Sequence, residues 1–151
     1  MRRVALIYNP ASGQQSARHR TAIDKALAVL HAAGVQAEAL QTDAPGSAGA
    51  LAEEAMRRGC DTILACGGDG TVHEVLQSLV GTTVALGVVP LGTANALAAN
   101  LGLRSSPAKA VRQLLHAAPV RTSVGHISYR DSTGAPQSRW HGSSLISRKV
   151  L

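Results

Sequence analysis

The stretch Gly67-Gly68-Asp69-Gly70-Thr71-Val72-His73-Glu74 stands directly between an apolar run and a helical pattern, and no other segment constrains the fold as much. The run Thr62-Ile63-Leu64-Ala65-Cys66 has the character of a buried strand, while Val72, Val75, Leu76 and Leu79 recur at helical spacing. Paired glycines and a third after the aspartate let the backbone turn tightly and approach a ligand. Backbone N–H groups at the start of the following helix favour an anion, typically phosphate. Asp69 is then an acid among groups that suit a phosphate. It makes chemical sense as a Mg²⁺ ligand or as the acceptor of a proton from an attacking hydroxyl. A plain strand-to-helix turn whose Asp caps the helix is the structural alternative.

Strands and helices alternate through most of the chain. Arg3 to Tyr8 is predicted as a strand, followed by the loop Asn9-Pro10-Ala11-Ser12-Gly13. A helix is predicted from about Ser16 to Ala33, with Ile23, Ala26, Leu27 and Leu30 on one face and Gly34 as its stop. Val35 to Leu40 alternates as a second strand, and Ala48, Leu51, Ala52 and Ala55 mark a helix closed by Gly59. Thr83 to Val89 is a fourth strand, followed by a short helix from about Ala94 to Leu101. Ser106-Pro107 has the form of a cap and first-turn proline for a helix carrying Val111, Leu114 and Leu115. The order implies an α/β fold: a three-layer sandwich with a mainly parallel sheet and helices on both faces. The end differs. Val120 to Tyr129 and Gln137 to Trp140, joined through Asp131 to Pro136, have the pattern of a hairpin that starts an antiparallel β unit. The domain boundary is accordingly placed between residues 1–118 and 119–151.

A chain of 151 residues suits one main domain, and with no Phe its core must be Leu, Val, Ile and Ala. Cys60 and Cys66 fit no zinc spacing and are expected as buried free thiols in a reducing, cytoplasmic setting. No apolar stretch approaches the roughly 20 residues that span a bilayer. The start, Met1-Arg2-Arg3, is followed by an apolar run that Asn9-Pro10 ends too early for a signal peptide. The net charge of +6 is uneven: from residue 76 onward eight basic side chains face a single acid, Asp131. Anionic lipid headgroups or nucleotide phosphates suit that surface, as does ordinary solvation. Aromatics make up 2% of the chain and no dense basic run exists, which argues against nucleic acid.

Three loops follow strands, and in open α/β sheets ligands bind at the carboxyl ends of the strands. Asn9 to Gly13, Gly67 to Thr71 and Gly92-Thr93-Ala94-Asn95 are therefore expected at one edge. Each combines Gly with small hydroxyl or amide residues, which suits phosphate oxygens and ribose. The pattern is neither the Walker loop nor the dinucleotide Gly-x-Gly-x-x-Gly.

In this order, Asn-Pro-x-Ser-Gly, Gly-Gly-Asp-Gly-Thr and Pro-Leu-Gly-Thr-x-Asn resemble the nucleotide-binding domain of the diacylglycerol and sphingosine kinase family, from about Val4 to Trp140. The resemblance implies ATP and Mg²⁺, with Gly67, Gly68, Asp69, Gly70, Thr71, Val72 and His73 as the phosphate loop. It adds Asn9, Ser12, Gly13, Thr42, Gly92, Thr93 and Asn95 as nucleotide contacts. Asp69 would be catalytic. Read from the residues themselves, Asp69 suits the metal, and Glu74 suits Mg²⁺ through water or simply the positive helix N-terminus. The implied activity is ATP-dependent phosphoryl transfer to a lipid hydroxyl, with peripheral contact to a membrane. NAD kinase and phosphofructokinase relatives share the Gly-Gly-Asp-Gly turn, but Pro90-Leu91-Gly92-Thr93-x-Asn95 speaks against them. The chain departs from the pattern at Ala96, where Asp is frequent, and at Ser123, where an Asp usually precedes the Leu-Gly step. The family's lipid-holding β-sandwich has no counterpart here, and His141 to Leu151 matches nothing the family carries after Trp140, as after a truncation or frameshift. Another polypeptide or a homodimer would then supply the missing wall. A nucleotide-binding module without chemistry of its own is the second class of function. His19, His31, His116, His126 and His141 form no spaced ligand set, and the Arg18-His19-Arg20 cluster is a solvated helix start by default, with phosphate near the first loop as its alternative partner.

Overall fold

The computed structural model describes residues 1–10, 16–91, 98, 102–103 and 106–141. Four six-residue strands, β1 (Arg3–Tyr8), β2 (Gln36–Gln41), β3 (Thr62–Gly67) and β4 (Ala85–Pro90), form one sheet in the order β2-β1-β3-β4. All of its pairings are parallel. β1 and β3 are central, and Val4 to Ile7 and Ile63 to Cys66 are fully buried on both faces. That explains their unbroken apolar runs, because a parallel strand covered on both sides has no polar face.

Helices cover each face. α1 (Ser16–Ala32) and α4 (Pro107–Leu115) bring Ile23, Ala26, Leu30 and Val111 against Val4, Leu6, Leu64, Cys66 and Val89. On the other side α2 (Ser47–Arg57) and α3 (Asp69–Leu79) bring Ala48, Ala52, Ala55, Val72, Val75 and Leu79 against Ala5, Ile7, Ile63 and Ala65. The expected three layers and aliphatic core are thus present. α2 comes close because its buried stripe is alanine. Gly49 lets it cross α3 closely: a Cβ there would lie 3.1 Å from the Ser78 hydroxyl, which donates to the Gly49 carbonyl at 3.1 Å. Cys60 and Cys66 are buried and free, and burial pushes the Cys66 thiol far above its ordinary range.

The predicted stops of two helices have their physical basis in left-handed glycines. Gly34 (φ 74°) and Gly59 (φ 84°) each close a Schellman pair, with Val35 N–H on the Leu30 carbonyl and Cys60 N–H on the Ala55 carbonyl, both at 3.0 Å. Small differences from expectation follow from context. Val35 is a buried helix-end contact rather than the first residue of β2. β2 is also half-exposed rather than alternating, because it is the edge strand. Ser106 occupies the cap position of α4 without a side-chain cap bond, and Pro107 sets the first turn. The helix predicted from Ala94 to Leu101 lies outside the described residues apart from Ala98, which is helical and buried.

Beyond α4, β5 (Gly125–Arg130) and β6 (Pro136–His141) pair as an antiparallel hairpin. Residues 120–124, expected at the start of this strand, carry no strand. The turn is organised by Asp131. Its carboxylate accepts the Thr133 hydroxyl (2.6 Å), the Thr133 and Ala135 N–H groups (2.9 and 3.0 Å) and the Gln137 amide (3.1 Å). These bonds, the Thr133 hydroxyl foremost, pull its pKa down to about 2. A carboxylate with a depressed folded-state value contributes stability above its unfolded value of roughly 4 and loses it as pH falls toward 2. Amide exchange at Thr133 and Ala135 is therefore expected to be slow at pH 5 and to lose protection by pH 2, and Asp131→Ala is expected to remove it at both. Protection that is the same at pH 5 and pH 2 would contradict this role.

Candidate functional site

The strand order places a topological switch point between β1 and β3. From β1 the chain crosses outward to β2, and from β3 it crosses the opposite way to β4. Loops leaving such neighbours diverge and open a crevice at their carboxyl ends. Register brings the predicted groups to that edge: Tyr8 lies beside both Gln41 and Cys66, and Gly67 lies beside Pro90. Thr42 N–H donates to the Tyr8 carbonyl (2.9 Å) and Leu91 N–H to the Gly67 carbonyl (3.3 Å), so the next residues of all four strands share the edge. Asn9 follows β1 there half-buried, and Thr42 is buried. Ser12, Gly13, Gly92, Thr93 and Asn95 lie outside the described residues.

The glycine-rich turn is built differently from a left-handed turn, since none of Gly67, Gly68 and Gly70 has a positive φ. Gly67 ends β3, and a Cβ there would meet the Thr71 Oγ1 at 2.5 Å. Thr71 packs against bare backbone, which draws the first turn of α3 tight onto the strand. Gly68 is the extended N-cap of α3 (φ −86°, ψ −175°) and makes no side-chain cap bond. Asp69 and Gly70 follow as exposed residues of the first turn, and a Cβ on Gly70 would meet nothing within 4 Å. The first N–H groups of any helix lack partners within it. Here they point from a turn kept free of side-chain bulk.

Other predicted residues of this loop have structural tasks. Val72 is a core residue, 4% exposed, and its N–H is bonded to the Gly68 carbonyl at 3.2 Å. It supports the turn from beneath. Glu74, expected as a metal ligand, is occupied elsewhere. One carboxylate oxygen accepts Gly46 N–H (2.9 Å) and the other accepts Ala48 N–H (3.2 Å). Gly46 is a left-handed N-cap without a capping side chain of its own, so Glu74 caps α2 from α3. His73 is half-buried and its ring lies 3.4 Å from the Gln77 amide. His19 was expected at a solvated helix start, with phosphate near the first loop as its other reading. It lies in the early part of α1, a helix that starts at this edge, and its Nδ1 is buried without a hydrogen-bond partner among the described residues. Its only signal was the Arg18-His19-Arg20 cluster.

Fold and edge together define a doubly wound α/β domain that presents a glycine-rich helix start at its switch point. The chain belongs to the diacylglycerol kinase catalytic domain family, whose sequence profile it matches over residues 3–127. It is 34% identical over 131 residues to a diacylglycerol kinase of Bacillus subtilis (strain 168), covering 85% of this chain and 43% of that protein. It is 35% identical over 133 residues to a diacylglycerol kinase of Staphylococcus haemolyticus, covering 86% and 40%. The crystal structure of a diacylglycerol kinase from Bacillus anthracis superposes with a TM-score of 0.63 at 29% identity, over 75% of this chain and 38% of that one. The chain thus spans about two-fifths of the length of the relatives it matches.

Glu74→Ala is expected to destabilise the domain by about 1–2 kcal/mol through loss of the α2 cap. Chemical denaturation should show it. Unchanged stability in that variant would contradict the capping role.

Proposed function

We propose that this chain binds MgATP at the β1/β3 switch point and forms the nucleotide half of a kinase that phosphorylates a lipid hydroxyl. The observation that carries the reading is Gly70. Glycine within a helix costs about 0.5–1 kcal/mol relative to alanine, and neither φ nor packing requires it here. The space it leaves open lies beside the N-terminus of α3, where phosphate is favoured by N–H groups and dipole together. The relatives named diacylglycerol kinase supply the acceptor class.

Among the described residues no three acidic, His or Cys side chains gather to hold a metal. Mg²⁺ usually keeps several waters and binds through one or two carboxylates plus substrate phosphates. Exposed Asp69, first residue of α3, fits an ion that arrives with the nucleotide. Bound there, Mg²⁺ would neutralise charge on the transferring phosphate. The chain's own groups do the rest: turn amides hold the phosphates and Asn9 and Thr42 offer polar groups at the edge, while Ser12, Gly13, Gly92, Thr93 and Asn95 are nucleotide contacts by family resemblance. Taking the proton of the lipid hydroxyl is the other role open to Asp69.

Residues 1–118 form the nucleotide unit in this reading, and 119–151 begin a second unit that faces the acceptor. No helix among the described residues is long and apolar enough to cross a membrane. In this reading the enzyme meets its lipid from the cytoplasmic side as a peripheral protein. The second reading, a nucleotide-binding module without transfer, has in its favour that the hairpin is largely exposed and offers no enclosed acceptor site.

Gly70→Ala is expected to stabilise the ligand-free domain by up to about 1 kcal/mol while weakening MgATP about tenfold or more. Calorimetry with undiminished affinity in that variant would remove the observation on which the reading rests. Asp69→Asn is expected to raise the Mg²⁺ concentration needed for half-maximal nucleotide binding. Unchanged Mg²⁺ dependence with slower transfer would instead assign Asp69 to the hydroxyl proton.

A further inference from the structure

The β5–β6 hairpin meets the α/β unit through the side chain of Gln77, in the last turn of α3. Gln77 Nε2 donates to the Trp140 carbonyl at 2.7 Å, and its Oε1 accepts the Trp140 N–H at 2.8 Å. One carboxamide therefore satisfies both backbone groups of a single residue 63 positions away, as a neighbouring strand would. β6 has β5 on one side only, so its outer edge otherwise presents unpaired polar groups. Pro136, on the same edge four residues earlier, has no N–H to present. The outward bonds make Trp140 and His126 a non-hydrogen-bonded pair, the kind whose side chains come closest, and their ring centroids lie 4.5 Å apart.

The helix that ends on this contact begins at the glycine-rich turn. Asp69 and Gln77 are separated by two turns, about 12 Å along the axis at 1.5 Å per residue. We propose that Gln77 is a positioning residue: its carboxamide acts as a one-residue strand that latches the β5–β6 unit at a fixed place relative to the turn. Holding a long side chain in one rotamer costs entropy, and a paired donor and acceptor offset that cost better than either alone. The latch stands on this geometry. Its use, keeping the second unit in register with bound phosphates, rests on the chain's being the nucleotide half of a kinase.

Trp140 is the single tryptophan, so emission from the intact 151-residue chain reports this site alone. Gln77→Met keeps the length and removes both hydrogen bonds. It is expected to shift Trp140 emission to the red and to speed exchange of its amide about tenfold or more, with the far-UV spectrum retained. Gln77→Glu, which keeps the acceptor but sets carboxylate against carbonyl, is expected to lose the same protection. Undiminished protection of the Trp140 amide in both variants would overturn the latch. MgATP titration, followed by calorimetry and by Trp140 emission together, tests its use. Wild type is expected to respond in both, while Gln77→Met is expected to retain calorimetric binding and lose the emission response. Calorimetric binding with a silent Trp140 in wild type would overturn the coupling. No calorimetric binding would overturn the nucleotide reading, and the exchange result would still decide the latch.

Discussion

The parallel pairing of β1 with β3, from Val4 beside Thr62 to Tyr8 beside Cys66, is the constraint on which the remaining architecture depends. Both strands are covered on each face, so every backbone polar group must find its partner inside the sheet. A shift of one residue would exchange the faces of Leu6 and Ile7, or of Leu64 and Ala65, between two different cores. Register is therefore tightly specified. That register sets Asn9, just beyond β1, at the height of Gly67 at the end of β3, and the strand order splits the crossovers to either side. The switch point is a product of core packing.

Much of this was legible in the sequence because the signals were local. An apolar pentad ending at Cys66 followed by Gly67-Gly68 specifies a strand end, and the spacing of Val72, Val75 and Leu79 specifies the helix after it. The glycine stops at Gly34 and Gly59 were readable for the same reason. The tasks of Glu74 and Gln77 were not. Both belong to α3, and both act on residues distant in the chain: Gly46 and Ala48 in one case, Trp140 in the other. A one-dimensional pattern shows an acid and an amide on a helix and says nothing of which backbone groups tertiary packing will set before them. Asp69 was legible in place, and its role is fixed by what binds there.

Small residues take the place that aromatics hold in most cores of this size. Ala48, Ala52 and Ala55 let α2 lie close to the sheet, and Gly49 lets it lie close to α3. Close approach favours dispersion through many short contacts, and it leaves little slack for the helices to shift. α3, packed beside α2 on the same face of the sheet, carries the turn at one end and the hairpin contact at the other.

The capping of α2 by Glu74 bears on how an anion would choose its place. Helices that follow parallel strands all begin at the same edge, so a phosphate drifting in meets several positive poles of similar strength. At α2 that pole is already filled by a carboxylate of the protein itself, held by two backbone N–H groups. A resident anion thus closes one competing berth, and it does so from the helix that begins at the glycine-rich turn. The ambiguity of many equivalent poles is reduced before any ligand arrives.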